Sequence, residues 1–176
     1  MLHVQAASPI RVEDNFLPKD QFKTLQEWFV NDRSVFEKCP WVYCPYIIGP
    51  GDHPDDFQFI HVFWYPNRGP VSEHINVIEP IMQKINPSIW LRIKANLRLK
   101  TDKVRVGGMH TDVGNYGHTT SIFYVNSNDG CTTFENGDTY KSVENRLITF
   151  PSHLRHAGSS PSNTKTRFVI NFNYFQ

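Results

Sequence analysis

The sequence predicts a mainly β protein of the α+β class, in which helices precede a core of antiparallel strands. From Ile89 onward, short segments of alternating apolar and polar residues are separated by turn residues, whereas helical spacing is confined to the part before it. Aromatic residues make up 14% of the chain, and flat rings pack well across sheet faces. Asn136-Gly137 is a strong hairpin signal within the second part.

The N-terminal part is predicted to contain two strands and two helices. Residues 10–12 and 57–64 have strand-like patterns. A helix is predicted after Pro18, which suits a first helical turn, because apolar residues recur at helical spacing at positions 22, 25, 28 and 29. A second helix is predicted over residues 72–85, and Pro80 inside it implies a kink or a break.

Five further strands are predicted in the C-terminal part, at residues 90–99, 119–125, 131–134, 146–150 and 166–174. Helices followed by short antiparallel strands fit a double-stranded β-helix, which is a jelly-roll, cupin-like architecture. We expect one domain over residues 1–176, with residues 1–90 as a helical, supporting part and residues 91–176 as the β core that carries the candidate site.

The bulk composition argues against several classes of partner. A formal net charge of +1 gives no strong field toward nucleic acid or an acidic membrane. Residues 1–5 lack the features of a secretion signal, and no apolar run approaches the length of a membrane span. The three cysteines are expected to be reduced thiols rather than a zinc site, so we expect a cytoplasmic protein.

A candidate metal site consists of His110 and Asp112, together with His156 far downstream. In an extended strand, residues two apart point to the same face, so the first two side chains could converge on one ion. Two histidines and one carboxylate are the ligands of the facial triad that binds non-haem Fe(II) and leaves coordination positions open. His153, three residues before His156, is the alternative second histidine.

A candidate co-substrate site is predicted around Arg167, which begins the apolar run of the last strand. A cation there could bind the far carboxylate of a dicarboxylic co-substrate. Asn96 shares a strand face with Arg98, and either Asn96 or Tyr124 could donate a hydrogen bond to the same molecule. Weaker candidates for such contacts are Thr149 and Asn171.

Residues 93–174 contain these motifs in a specific order: Gly-Met-His-Thr-Asp at 108–112, Asn-Arg-Leu-Ile-Thr-Phe-Pro-Ser at 145–152, His-Ala-Gly at 156–158 and Thr-Arg-Phe-Val-Ile-Asn-Phe at 166–172. The chain thereby resembles the Fe(II)/2-oxoglutarate-dependent dioxygenase superfamily, and within it the prolyl-hydroxylase-like branch.

The resemblance implies a set of ligands and a reaction. Iron would be bound by His110, Asp112 and His156, which makes these three the catalytic residues. 2-Oxoglutarate would chelate the iron and pair with Arg167, dioxygen would be the oxidant, and ascorbate is an optional reductant. The products would be succinate, carbon dioxide and a hydroxylated C–H position.

The chain departs from the pattern of this branch at two positions. Gly130-Cys131 stands where relatives often have two glycines, and Val169 stands where a hydroxyl-bearing residue is common. The second departure implies that a tyrosine or threonine from another strand completes the co-substrate clamp.

Two alternative functions follow from the same residues. One is oxidative demethylation of nucleic-acid bases, against which the near-neutral charge and the lack of Lys or Arg after Arg167 argue. The other is a non-catalytic, cupin-like metal-binding protein, which would need no cation at Arg167. The expected substrate is a peptide or a small molecule, with residues 41–64 and 114–117 as a candidate groove or lid. The pattern identifies neither that substrate nor an oligomeric state.

Overall fold

The computed structural model of the protein describes residues 8–30, 39–53, 56–114 and 116–176. The segment tested for a secretion signal lies outside these residues, as do Pro54 and Asp55 in the candidate groove and Asn115 in the candidate lid. Among the described residues, no helix combines the length and apolar character needed to cross a membrane.

The described residues of the N-terminal half form two α-helices, one 3-10 helix and four strands. In chain order these are β1 (Arg11–Glu13), α1 (Lys19–Val30), β2 (Val42–Cys44), β3 (Gln58–Tyr65), β4 (Gly69–Pro70), a 3-10 helix (Ile75–Ile78) and α2 (Glu79–Ile85). Phe22, Leu25 and Phe29 form the buried stripe of α1, which is the face that the helical spacing predicts.

The C-terminal half is made of strands. They are β5 (Ile89–Leu99), β6 (Thr119–Tyr124), β7 (Cys131–Phe134), β8 (Thr139–Lys141), β9 (Arg146–Pro151), β10 (His156–Gly158) and β11 (Thr166–Phe175). A large antiparallel sheet has the order β1-β9-β6-β11-β5-β3-β2, with β4 paired to β3, and a small sheet has the order β10-β7-β8. The prediction of a double-stranded β-helix is confirmed, and strands from both halves share the large sheet.

Two apolar clusters define the layers of the fold. In the first, α1 and α2 pack on one face of the large sheet through residues such as Phe22 and Ile81 against Phe172. In the second, Ile122 and Val169 on the other face of that sheet pack with Phe134 of the small sheet. Alternate residues of β11 therefore point to different layers, and the candidate site lies between the two sheets.

The structure corrects two predictions of local structure. Residues 72–85 do not form one helix: a 3-10 turn ends at Ile78, and α2 starts again with Pro80 in its first turn, where the missing amide hydrogen costs nothing. Residues 110–112 do not form a strand, because only His110 pairs, in an isolated bridge with His156. The short strands β2, β4, β8 and β10 were not predicted, since two to three residues give no readable alternation.

Candidate metal and co-substrate site

The two candidate histidine ligands are held opposite each other by their backbones. The amide of His110 donates to the carbonyl of His156 at 2.9 Å, and the amide of His156 donates back to the carbonyl of His110 at 2.9 Å. Their ring centroids lie 5.0 Å apart. This bridge replaces the predicted strand in bringing His110 to the site.

Backbone carbonyls orient both imidazole rings. Nδ1 of His110 donates to the carbonyl of Gly108 at 3.0 Å, and Nδ1 of His156 donates to the carbonyl of Leu154 at 3.3 Å. Because a carbonyl only accepts, each Nδ1 carries a proton, so in the neutral ring the lone pair that can bind a metal lies on Nε2. Burial lowers the pKa of His156, which favours the neutral ring that a metal requires.

Asp112 faces both histidines and is itself held by three side chains. Its side chain is 4% exposed. Asn171 Nδ2 donates to its two oxygens at 3.2 and 3.4 Å, Asn173 Nδ2 donates to Oδ2 at 3.4 Å, and Arg92 Nη2 forms an ion pair with Oδ1 at 3.1 Å. These contacts leave the carboxylate a single orientation, directed at the imidazoles.

The electrostatics of the site keep Asp112 ionised. Burial alone would raise the pKa of its carboxyl group, but the neighbouring positive charges, led by that of Arg92, hold that pKa well below its usual range. A deprotonated carboxylate beside two neutral imidazoles is the donor set that an Fe(II) ion takes.

The geometry of the three side chains fits one metal ion. Nε2 of His110 lies 4.0 Å from Asp112 Oδ1, and Nε2 of His156 lies 3.9 Å from Asp112 Oδ2. Donor atoms in neighbouring positions of one ion, each at about 2.1 Å, lie about 3 Å apart, so these side chains would draw together by about 1 Å around an ion. Among the described residues, these three form the one His/Cys/Asp/Glu cluster whose atoms lie within 4.8 Å of one another. His153, the alternative ligand, is exposed and is not part of it.

A cavity, open to solvent, extends from the triad to Arg167 between the sheets. The side chains of β5 that line it are Lys94, Asn96 and Arg98, and those of β11 are Arg167, Val169 and Asn171. The register pairs Arg98 with Arg167 and Lys94 with Asn171 across these two strands. The cavity thus has a metal end near Asn171 and a second, cationic end at Arg167.

Arg167 is a buried cation that lies over the ring of Tyr124, at 5.6 Å from its centroid, and bonds to hydroxyl groups. It is 3% exposed, its Nε donates to Ser142 Oγ at 2.6 Å, and its Nη2 donates to Thr132 Oγ1 at 3.2 Å. No described carboxylate pairs with it. Burial lowers the pKa of Arg167, but a guanidinium stays charged, so the cavity end presents an uncompensated positive charge.

Glycine at position 130 makes room for this arginine. A Cβ built there would lie 2.7 Å from Cδ of Arg167 and 2.7 Å from Oδ1 of Asn128, which is closer than side-chain carbons approach. The glycine in Gly130-Cys131 is therefore required by packing against the guanidinium arm.

Thr132 supplies the hydroxyl that Val169 lacks. Its Oγ1 accepts from Arg167 and also from the Tyr124 hydroxyl at 2.8 Å. A hydroxyl has two lone pairs and one hydrogen, so Thr132, which lines the cavity, has its own hydrogen available for a ligand. Tyr124 is fully buried behind it and does not line the cavity.

The structure places the remaining predicted residues as follows. Asn96 lines the cavity between its two ends, and its Oδ1 is buried without a hydrogen-bond partner. Thr149 bonds to Ser121 on the large sheet and does not line the cavity. Asn171 contacts Asp112 rather than the end of the cavity at Arg167.

Sequence reasoning missed Arg92, Lys94 and Thr132. Arg92 and Lys94 lie on the same face of β5 as Asn96 and Arg98. The residues between these four are the buried Ile93, Ala95 and Leu97. That alternation of polar and apolar residues was a readable signal for a polar cavity wall.

Comparison with known proteins shows the fold. The sequence matches no protein-family model and no curated protein. A Pseudomonas putida prolyl-4-hydroxylase superposes with a TM-score of 0.60 at 13% identity over 97% of this chain and 95% of that chain. A Trichoplax adhaerens prolyl hydroxylase, solved with a hypoxia inducible factor peptide fragment, gives 0.57 at 15% identity over 96% and 84%. SnoN, a non-heme alpha-ketoglutarate-dependent epimerase from nogalamycin biosynthesis, gives 0.63 at 9% identity over 96% and 78%.

These solved structures match nearly the whole described fold, from the N-terminal helices to the last strand. At such low identity the likeness concerns the backbone architecture. The chain has the double-stranded β-helix fold found in iron- and 2-oxoglutarate-dependent enzymes.

Proposed function

We propose that this protein is an Fe(II)- and 2-oxoglutarate-dependent dioxygenase that hydroxylates a C–H bond of a peptide side chain or a small molecule. The observation that carries the proposal is the pairing of two features in one cavity: a His-Asp-His triad at one end and the buried, uncompensated Arg167 at the other. A metal-binding protein without turnover does not require a cation at Arg167, and burying an unpaired cation destabilises the fold.

The residues of the chain would hold the reactants in fixed positions. His110, Asp112 and His156 would bind Fe(II) and leave its other positions open for the 2-keto acid and dioxygen. The iron supplies the oxidative chemistry, by which one 2-oxoglutarate, one dioxygen and one C–H bond give succinate, carbon dioxide and one C–OH bond.

The far carboxylate of 2-oxoglutarate would lie at Arg167 and Thr132. Three of the five N–H groups of the guanidinium remain after the bonds to Ser142 and Thr132, enough for two bonds to a carboxylate. The hydrogen of Thr132 Oγ1 provides a third. The clamp thus consists of one arginine and one threonine from facing sheets.

Two relatives in fold support the proposed reaction class. The Trichoplax enzyme is a prolyl hydroxylase solved with a peptide, and a viral collagen prolyl hydroxylase with a TM-score of 0.58 is solved with 2-oxoglutarate. SnoN is an epimerase with the same co-substrate. Consumption of the co-substrate and formation of a hydroxylated product therefore need separate assays.

The decisive experiment measures co-substrate turnover. Protein with Fe(II), 2-oxoglutarate and ascorbate should release succinate and carbon dioxide in equal amounts, slowly even without a substrate. His110→Ala should abolish both metal binding and succinate release, whereas His153→Ala, a matched change at an exposed histidine, should alter neither. Turnover that survives His110→Ala, or a wild-type protein that binds metal but releases no succinate, would overturn the proposal.

A further inference from the structure

Lys94 is a cation in the cavity that the proposed reaction does not use. It stands on the inward face of β5, lines the cavity and is opposite Asn171, which binds the metal-facing Asp112. Burial lowers its pKa to about 8, and its ammonium group has no hydrogen-bond or ion-pair partner in the described part of the chain. The side chain is half-buried between the two sheets, where its charge is more stable with a partner.

Asp112 has closer partners than Lys94. Three other side chains already contact its two oxygens, with Arg92 supplying the ion pair. The far carboxylate of 2-oxoglutarate does not need it either. Arg167 lies opposite Arg98, and the backbone positions of Arg98 and Lys94 are four residues, about 13 Å, apart on β5, so the two cations start from different ends of the cavity.

Among the described residues, three lysine or arginine side chains line the cavity: Lys94, Arg98 and Arg167. Arg98 forms an ion pair with Asp56 at 3.2 Å, and Arg167 would pair with the far carboxylate of 2-oxoglutarate. Lys94 is the lining cation that remains for a further anion.

We propose that the substrate of this dioxygenase is a small carboxylic acid whose carboxylate binds Lys94. The inference rests on the proposed function and narrows its substrate. Because Lys94 lies at the metal end of the cavity, the carbon that is oxidised lies within a few bonds of that carboxylate. Ile47, Ile122 and Val169 offer the same cavity an apolar wall for the hydrocarbon part of the acid.

The test uses Mn(II) in place of Fe(II), so that ligands bind without turnover, and two probes of equal shape, pentanoate and pentanamide. With Mn(II) and saturating 2-oxoglutarate, the acid should bind at least tenfold more tightly than the amide, since a charge-assisted contact replaces a neutral one. Relaxation of the probe protons by Mn(II) reports whether the bound probe lies beside the metal.

Lys94→Met keeps the length of the side chain and removes its charge. In this variant the preference for pentanoate should disappear while 2-oxoglutarate affinity stays within about threefold. Lys100→Met, the same change at an exposed lysine just after β5, should retain the preference. Lys94→Gln provides a second uncharged side chain if the methionine variant unfolds at a lower temperature.

The outcomes separate the two proposals. If 2-oxoglutarate does not bind the Mn(II) protein, the proposed function is wrong. If it binds but the acid and the amide bind equally, or the preference survives in both Lys94 variants, the carboxylic acid substrate is wrong. If Lys94→Met weakens 2-oxoglutarate instead, Lys94 belongs to the co-substrate and the inference is again overturned.

Discussion

Replacing Arg167 with methionine tests whether its buried charge serves a carboxylate ligand. The variant keeps an unbranched chain against Gly130 and removes the guanidinium group. Of the five N–H groups, one bonds Ser142 and one bonds Thr132, which leaves two for the carboxylate of 2-oxoglutarate with one to spare.

The expected loss follows from these two contacts. Hydrogen bonds to charged groups contribute about 1.5–3 kcal/mol each, and we take the lower figure because Thr132 and Arg98 remain beside the ligand. Two such bonds give about 3 kcal/mol, or about 150-fold weaker binding of 2-oxoglutarate. Metal affinity should be nearly unchanged, since no triad residue contacts Arg167.

Calorimetric titration of 2-oxoglutarate into the Mn(II)-loaded protein measures this loss directly. Arg68→Met removes the same charge at an exposed site outside the cavity lining and should leave binding as in the wild type. The reasoning is refuted if the two variants bind 2-oxoglutarate with the same affinity, or if the metal affinity of Arg167→Met falls in parallel.

Two further predictions concern packing and pH. Gly130→Ala should weaken 2-oxoglutarate binding at least tenfold in the same titration, because the added methyl group displaces the side chain of Arg167. An unchanged affinity would show that this side chain can shift without loss of binding. Burial lowers the pKa of His61 below 6.5, so the unfolded chain binds the extra proton, and the free energy of unfolding should decrease as pH falls below about 6.5. Urea unfolding from pH 7.5 to 5 should show a smaller decrease in His61→Gln, whereas His153→Gln, at an exposed ring, should keep the wild-type slope.

The site could be predicted from sequence where its residues lie on regular strands. Asn96 and Arg167 lie on long strands whose alternation fixes which residues point inward, and the structure places both on the cavity wall. His110 and Asp112 are close together, but they do not lie on the extended strand that the spacing predicts. A bridge to His156 and contacts from β11 orient them, and neither is encoded in the local sequence.

The missed residues show why the rest could not be predicted. Thr132 contacts Arg167 only because the small sheet folds over the large one there. Its role depends on a contact between residues 35 positions apart, and no periodicity carries that information. Lys94 was readable from alternation, but its lack of a partner appears only once its surroundings are known.

The alternation of β11 has a consequence for how this protein can change over evolution. Arg167, Val169, Asn171 and Asn173 face the site, whereas Phe168, Ile170, Phe172 and Tyr174 fill the core under the helices. Inserting or deleting one residue within the strand would exchange the two sets, placing a guanidinium in the core and phenyl rings at the metal. Substitutions can alter this strand one face at a time, but a change in its length would remove fold and site together.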